Sequence, residues 1–172
     1  MQVPRRKSEQ SKIRLQFDPY LSKNKYNQLV DSLKDLKKSQ PQLASEVKRL
    51  ASDGDFSENA GYQLAKSQLR TLNSKVLFLE KQLKYAIIID NNTVKENSKQ
   101  KKIQIGSQVT LEKQGKINEY TILGSSESDP SSGIISHLSP LGSQLIGKKI
   151  GDKVALNTEN KKIQSYTIKQ IN

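Results

Sequence analysis

The sequence predicts an α+β protein in two parts: a pair of long antiparallel helices, then a small β-rich domain. Three observations carry that reading. Two runs of apolar residues recur at steps of three and four within residues 20–90. After residue 102 the composition shifts to Gly, Ile, Thr and Val, with alternation and turn signals. Only 33% of the 172 residues are hydrophobic, which is little for one thick core and favours an extended or two-part molecule.

The first run is Tyr26, Leu29, Leu33, Leu36, Gln40, Leu43, Val47 and Leu50. The second is Tyr62, Ala65, Leu69, Leu72, Val76, Leu79, Leu83 and Ala86. Both follow the heptad spacing that lines one helix face, apolar but for Gln40. Each covers 24 residue steps, about 36 Å at the helical rise. Two equal seams joined by a short polar segment fold most simply as an antiparallel hairpin. A single long helix forming a homodimer would hold Gly54 and Gly61 in its interior, at about 1 kcal/mol each. Pro41 removes a backbone donor inside the first seam, yet the seam keeps its register across it, so a kink near Gln40 is expected and not a break.

The turn between the seams, "ASDGDFSENAGY" at 51–62, holds Asp53, Asp55 and Glu58 and no Lys or Arg, in a chain of net charge +12. Gly54 suits a left-handed turn position. Ser57 is the expected N-cap of the second helix, Phe56 its staple, and Glu58 a first-turn acid near the positive end of the dipole. Capping accounts for Glu58 and in part for Asp55, but not for all three acids. A calcium loop needs Gly at its sixth position and Glu at its twelfth. Counted from Asp53 those positions hold Glu58 and Leu64, so the match fails. The acids have no cationic neighbour within the turn. They are open to something brought to them, and hard divalent ions choose carboxylate oxygens.

The remaining segments are read more coarsely. Residues 1–19 form a basic tail ending in "FDPY"; residues 1–18 carry five basic and two acidic side chains. Residues 91–102, "NNTVKENSKQKK", read as a linker. In 103–172 the strands are "SQVTLEK", "NEYTILG", "GIISH", "DKVALNT" and "IQSYTIKQI". "HLSPLGSQLIGKKIGD" is a short helix, with Ser139 as N-cap, Pro140 at the first helical position and Gly147 as the stop. Lys66, Arg70 and Lys75 lie off the second seam, either as a basic flank for nucleic acid or as a solvated face.

Several function classes are disfavoured. The chain has no Cys, so thiol nucleophiles, disulfides and thiolate metal sites are excluded. Its one His, His137, sits between a strand and the Ser139 cap and reads as a surface or structural residue rather than a catalytic one. The longest apolar run, "AIII" at 86–89, is too short to span a membrane. No apolar segment follows the basic N-terminus, so a cytoplasmic protein is expected.

Two stretches carry a resemblance. "GDFSENAGYQLAKSQL" with "LEKQLKYAIIID", and separately "GIISHLSPLGSQLIGKKIGDKV", resemble the Gre family of bacterial transcript cleavage factors, and "LIGKK" leans toward its GreA branch. The resemblance covers about residue 20 to the end. It implies a coiled-coil hairpin over 20–90, with an acidic tip at 53–58, that enters the secondary channel of RNA polymerase. It also implies an FKBP-like domain over 103–172 that grips the channel rim. The factor would be no enzyme itself and would act as a monomer, with no membrane. It would stimulate the polymerase to cleave the extruded 3′ end of backtracked nascent RNA. By motif, Asp55 and Glu58 match the functional tip acids, assisting the polymerase's Mg. Asp53, Gly54, Phe56, Ser57, Asn59 and Tyr62 would support the tip. Lys66 and Arg70 would face RNA. Ser139, Pro140, Leu145, Ile146 and Gly147 would fall in the polymerase-binding region. The factor would hold no metal stably and no cofactor of its own.

Physical chemistry agrees with that role. Phosphodiester hydrolysis benefits from a second metal ion, and two added carboxylates can retain one. A slender rod passes a narrow pore that a globular domain could not. The sequence departs from the family pattern at Gly61, where a larger residue is usual, and at "NSK", residues 73–75, where Gly-Arg-Ile is usual. One alternative is a channel-binding paralogue that inhibits without cleavage; the intact "GDFSEN" argues against it. Another is a proline isomerase, which needs an aromatic-lined pocket, whereas 103–172 holds only Tyr120 and Tyr166 as aromatics.

Overall fold

The structure is a computed structural model and describes residues 17–52, 59–89, 102–157 and 163–172. Its first part is a helical hairpin on a small parallel sheet. Strand β1 (Tyr20–Ser22) leads directly into helix α1 (Lys23–Ser52). Helix α2 (Ala60–Lys84) returns and is followed by strand β2 (Ile87–Ile89). The two strands pair in parallel, Tyr20 opposite Ile87 and Ser22 opposite Ile89. Leu21, the middle residue of β1, is fully buried.

The heptad spacing explains the packing. Every described seam position is at least half-withdrawn from solvent, and Ala65 and Val76 are buried. The helices are antiparallel. Lys37 on α1 pairs with Glu80 on α2 at 2.7 Å. Further toward the turn, Gln40 Nε2 donates to Asn73 Oδ1 at 2.8 Å. The polar member of the first seam is thus satisfied by an amide across the interface. Helix α1 runs unbroken through Pro41, because the rest of a 30-residue helix and its packed seam hold the turn around the missing donor.

The second part is a five-stranded sheet of order β5-β4-β3-β7-β6. Its strands are β3 (Gln108–Lys113), β4 (Lys116–Leu123), β5 (Ile134–Ser136), β6 (Lys153–Asn157) and β7 (Ile163–Ile171). Pairing is antiparallel except between β4 and β5. Helix α3 (Pro140–Leu145) starts at Ser139, whose Oγ accepts from the Gly142 amide at 3.0 Å. Alternate residues of the strands, Val109 and Leu111, Ile122, Ile135, Val154, Tyr166 and Ile168, form one buried cluster with Ile103 and Leu145. That is the period-two burial of a sheet with one covered face. The strands and short helix expected from sequence are present, and the α+β class holds.

Three local expectations need correction. Asn59, not Ser57, caps α2: its side chain accepts from the Tyr62 amide at 3.0 Å. The first turn of α2 therefore contains no acid, and Glu58 precedes the helix. Residues 17–19, read as the end of a tail, are engaged: Phe17 meets Phe78 edge-on at 5.9 Å. The Pro19 carbonyl accepts from the Ile87 amide at 2.8 Å. Lys102, read as linker, forms an antiparallel bridge with Lys149. Residues 1–16 and 90–101 lie outside the described residues. No helix among the described residues is long and apolar enough to cross a membrane.

Candidate functional site

The hairpin puts its two ends to different use. One end carries β1, β2 and the sheet domain. At the other, α1 stops at Ser52 and α2 begins at Ala60. The sequence between them holds Asp53, Gly54, Asp55, Phe56, Ser57 and Glu58, which lie outside the described residues. The described residues bordering them are closely joined. Asn59 caps α2 and also donates from Nδ2 to the Leu50 carbonyl at 3.4 Å, which ties the start of α2 to the last turn of α1. A Cβ on Gly61 would lie 3.3 Å from Asn59 Oδ1 and 3.8 Å from Leu50 Cδ2. The departure at Gly61 thus makes room for the Asn59 side chain.

Basic side chains follow along α2. Lys66 and Arg70, one helical turn apart, are both exposed. The Lys66 ammonium sits 5.4 Å from the centre of the Tyr62 ring, a cation–π contact that gathers the expected tip-support and RNA-facing residues. Lys75 does not join them. It lines a groove with Leu36, Leu43 and Leu72. Nine residues at about 100° each place it on the opposite side of α2 from Lys66. Lys66 and Arg70 thus share one side of α2, and Lys75 lies on the other. Among the described residues, no cluster of His, Asp and Glu could hold a metal ion.

The opposite end presents the α3 region. Ser139 donates from Oγ to the Ser136 carbonyl at 2.7 Å while capping α3. Pro140, Ile146 and Gly147 are exposed. Gly147 has φ of 80°, the left-handed stop expected from sequence. Leu145 is different: it is fully buried in the sheet core, so its side chain is structural and not a contact surface. The apolar surface here is instead Leu138, 66% exposed, with Ile146 and Ile150. Leu138 and Ile150 were missed in the sequence. The available signal was a large aliphatic residue placed in a loop outside the strand alternation.

His137 also has a structural setting. Its ring packs edge-on against Tyr20 with centroids 5.3 Å apart, and Nδ1 lies 3.4 Å from Asp18 Oδ2. Burial, then the neighbouring Tyr166, raises the Tyr120 hydroxyl pKa.

Comparison with known proteins places this arrangement. A family model described as "Transcription elongation factor, N-terminal" matches residues 19–88, and "Transcription elongation factor, GreA/GreB, C-term" matches residues 97–172. Transcription elongation factor GreA of Chloroherpeton thalassium is 36% identical over 155 residues, 88% of this chain and 95% of that one. The GreA of Desulfovibrio desulfuricans is 35% identical over 133 residues, 76% and 80% of the two chains. The crystal structure of GreA factor homolog 1 of Thermus thermophilus matches 88% of this chain and 97% of that one, at 23% identity and a TM-score of 0.38.

Proposed function

The chain belongs to the GreA/GreB family of transcription elongation factors, and on that premise we propose that it acts through the acids at the hairpin turn. The factor binds bacterial RNA polymerase. The α1–α2 rod reaches the polymerase active centre through the secondary channel, while the sheet domain, with Leu138, Ile146 and Ile150 exposed beside α3, holds the channel rim.

The observation that carries this reading is the break between Ser52 and Ala60. It supports the reading that Asp55 and Glu58, which fall between the two helices in sequence, belong to the connection at the end of α1 remote from the sheet domain. Helix α1 has 30 residues, about 45 Å at the helical rise, enough to carry groups deep into a narrow pore.

The residue types fit the chemistry. Asp55 and Glu58 offer hard oxygen donors to the polymerase's own Mg, whose contribution is to activate water and offset charge on the phosphodiester. This chain's residues deliver, orient and screen. The Asn59 cap and its bond to Leu50 hold the helix ends together. Lys66 and Arg70 oppose the repulsion between tip acids and RNA phosphates. The factor carries out no hydrolysis alone.

The test is purified polymerase halted by nucleotide omission and backtracked, with and without the protein, with RNA length read on a gel. Shortened RNA that resumes growth on adding nucleotides is the expected result. Slower elongation with no shortening would support the inhibitory paralogue and overturn this reading.

A further inference from the structure

We propose that Asp18 and Glu127 form a two-carboxylate clasp that fixes the direction of the hairpin relative to the sheet domain and so positions the tip. Its functional consequence rests on the cleavage-stimulating reading of the tip; its geometry does not.

The two carboxylates reach across the joint in opposite senses. Asp18 comes from the hairpin side, and its side chain is only 3% exposed. Its Oδ2 accepts from the Ser125 amide at 2.6 Å and from the Ser125 hydroxyl at 2.9 Å. The same oxygen lies 3.4 Å from His137 Nδ1, and Oδ1 accepts from the Tyr20 amide at 3.1 Å. Glu127 comes from the sheet side. It accepts from the Ser22 amide at 2.7 Å and from the Ser22 hydroxyl. Ser22 Oγ in turn accepts from the Lys25 amide at 3.2 Å, in the first turn of α1. The hydroxyl that begins the rod is therefore held by a residue of the other part of the molecule.

Gly124 closes the gap between these contacts. A Cβ there would lie 2.0 Å from the Tyr20 carbonyl oxygen. The two backbones meet directly, with no side chain between them to slide or repack.

Leverage makes this joint important. For α1, 30 residues long, a swing of about 10° at the base moves the far end of a rod of about 45 Å by about 8 Å. Displacements of about 1 Å can cost a catalytic arrangement about 10²-fold. An apolar contact alone permits sliding, whereas hydrogen bonds to ionised groups are short and directional. Asp18 and Glu127 are positioning residues: they touch no substrate and act through the direction of α1.

The test uses the full chain. It has no native cysteine, so spin labels at Lys48→Cys on α1 and Lys116→Cys on β4 report one distance, expected to be narrowly distributed. Combining Asp18→Ala with Glu127→Ala should broaden it. Maximal stimulated cleavage should then fall about 10-fold or more, with little change in the concentration giving half the effect. Glu127→Gln keeps an acceptor for Ser22 and should restore much of the loss. Gly124→Val forces the joint apart without removing a carboxylate and should behave like the double variant. A narrow distance retained in the double variant overturns the clasp, whatever Gly124→Val does. A broadened distance with full cleavage overturns its positioning role. If the unmutated chain stimulates no cleavage, the positioning role falls with the tip reading, and the distances still decide the clasp.

Discussion

Gln40 and Asn73 meet across the hairpin seam, the Gln40 amide nitrogen 2.8 Å from the Asn73 carbonyl oxygen. They form a polar layer in a seam whose other members are apolar. Such a layer costs stability and specifies register, because any other alignment leaves the amides facing hydrocarbon. Asn73→Leu alone should destabilise the protein by about 1 kcal/mol, since Gln40 loses its partner. Combining it with Gln40→Leu should recover that loss or exceed it. Urea denaturation of the single and double variants measures both.

The cap of α2 gives a discriminating pair. Asn59→Ala removes the acceptor for the Tyr62 amide and the link to Leu50, and should cost about 1 kcal/mol. Ser57→Ala should stay within about 0.5 kcal/mol, as expected away from a cap. Thermal melts followed by helical circular dichroism separate the two. A larger loss for Ser57→Ala would move the cap back to the position first read from the sequence.

The tip acids should separate activity from binding. Asp55→Ala and Glu58→Ala are each expected to lower stimulated RNA cleavage about 10-fold or more, the scale on which residues supporting a metal site act. Polymerase affinity, measured by fluorescence anisotropy of labelled factor, should stay close to the parent's. Full stimulation by the double variant would remove the tip mechanism.

Two glycines near α3 should respond unequally. At Gly142 a Cβ would lie 2.1 Å from the Ser136 carbonyl oxygen, so Gly142→Ala must displace backbone and should cost about 3 kcal/mol. At Gly147 no atom lies within 4 Å of the added carbon, but φ is 80°. Gly147→Ala should cost only the left-handed strain, about 1 kcal/mol. Chemical denaturation curves rank them.

Asp129 supplies part of the acid limb of stability. Hydrogen bonds from the Ser131 hydroxyl first, then the Ser132 hydroxyl, lower its pKa from the ordinary carboxylate value. A folded-state pKa below the unfolded one stabilises the protein above the unfolded pKa, and that contribution fades as pH falls through the folded pKa. Asp129→Asn should flatten this part of the profile and leave the neutral-to-basic limb unchanged, as measured by thermal midpoint against pH.

Much of the fold was legible because its burial is periodic along the chain. Tyr26 to Leu50 and Tyr62 to Leu83 could be counted, and those are the positions α1 and α2 withdraw from solvent, Ala86 lying past the end of α2. Val109, Leu111 and Ile168 alternate as core strands should. Ser139, Pro140 and Gly147 spell out α3 through backbone requirements at each end. The candidate site was less legible. Ser57 and Asn59 are both competent caps two residues apart, and the choice fell to Asn59, which also bonds Leu50 on the other helix. Leu145 looked like part of a contact surface in a stretch of mixed residues, yet α3 turns it inward.

Sequence alone thus determined the two-part α+β plan, the hairpin seams and the place of the turn between them, because heptads, alternation and residue type act over a few neighbours. Tertiary structure alone decided the parallel pairing of Tyr20–Ser22 with Ile87–Ile89, the inward turn of Leu145, and the joint between Asp18, Ser125 and His137. Asp18 and Ser125 alone lie 107 positions apart. No local pattern encodes such a partner: the carboxylate of Asp18 becomes an anchor only when folding brings the Ser125 amide within reach and buries the Asp18 side chain.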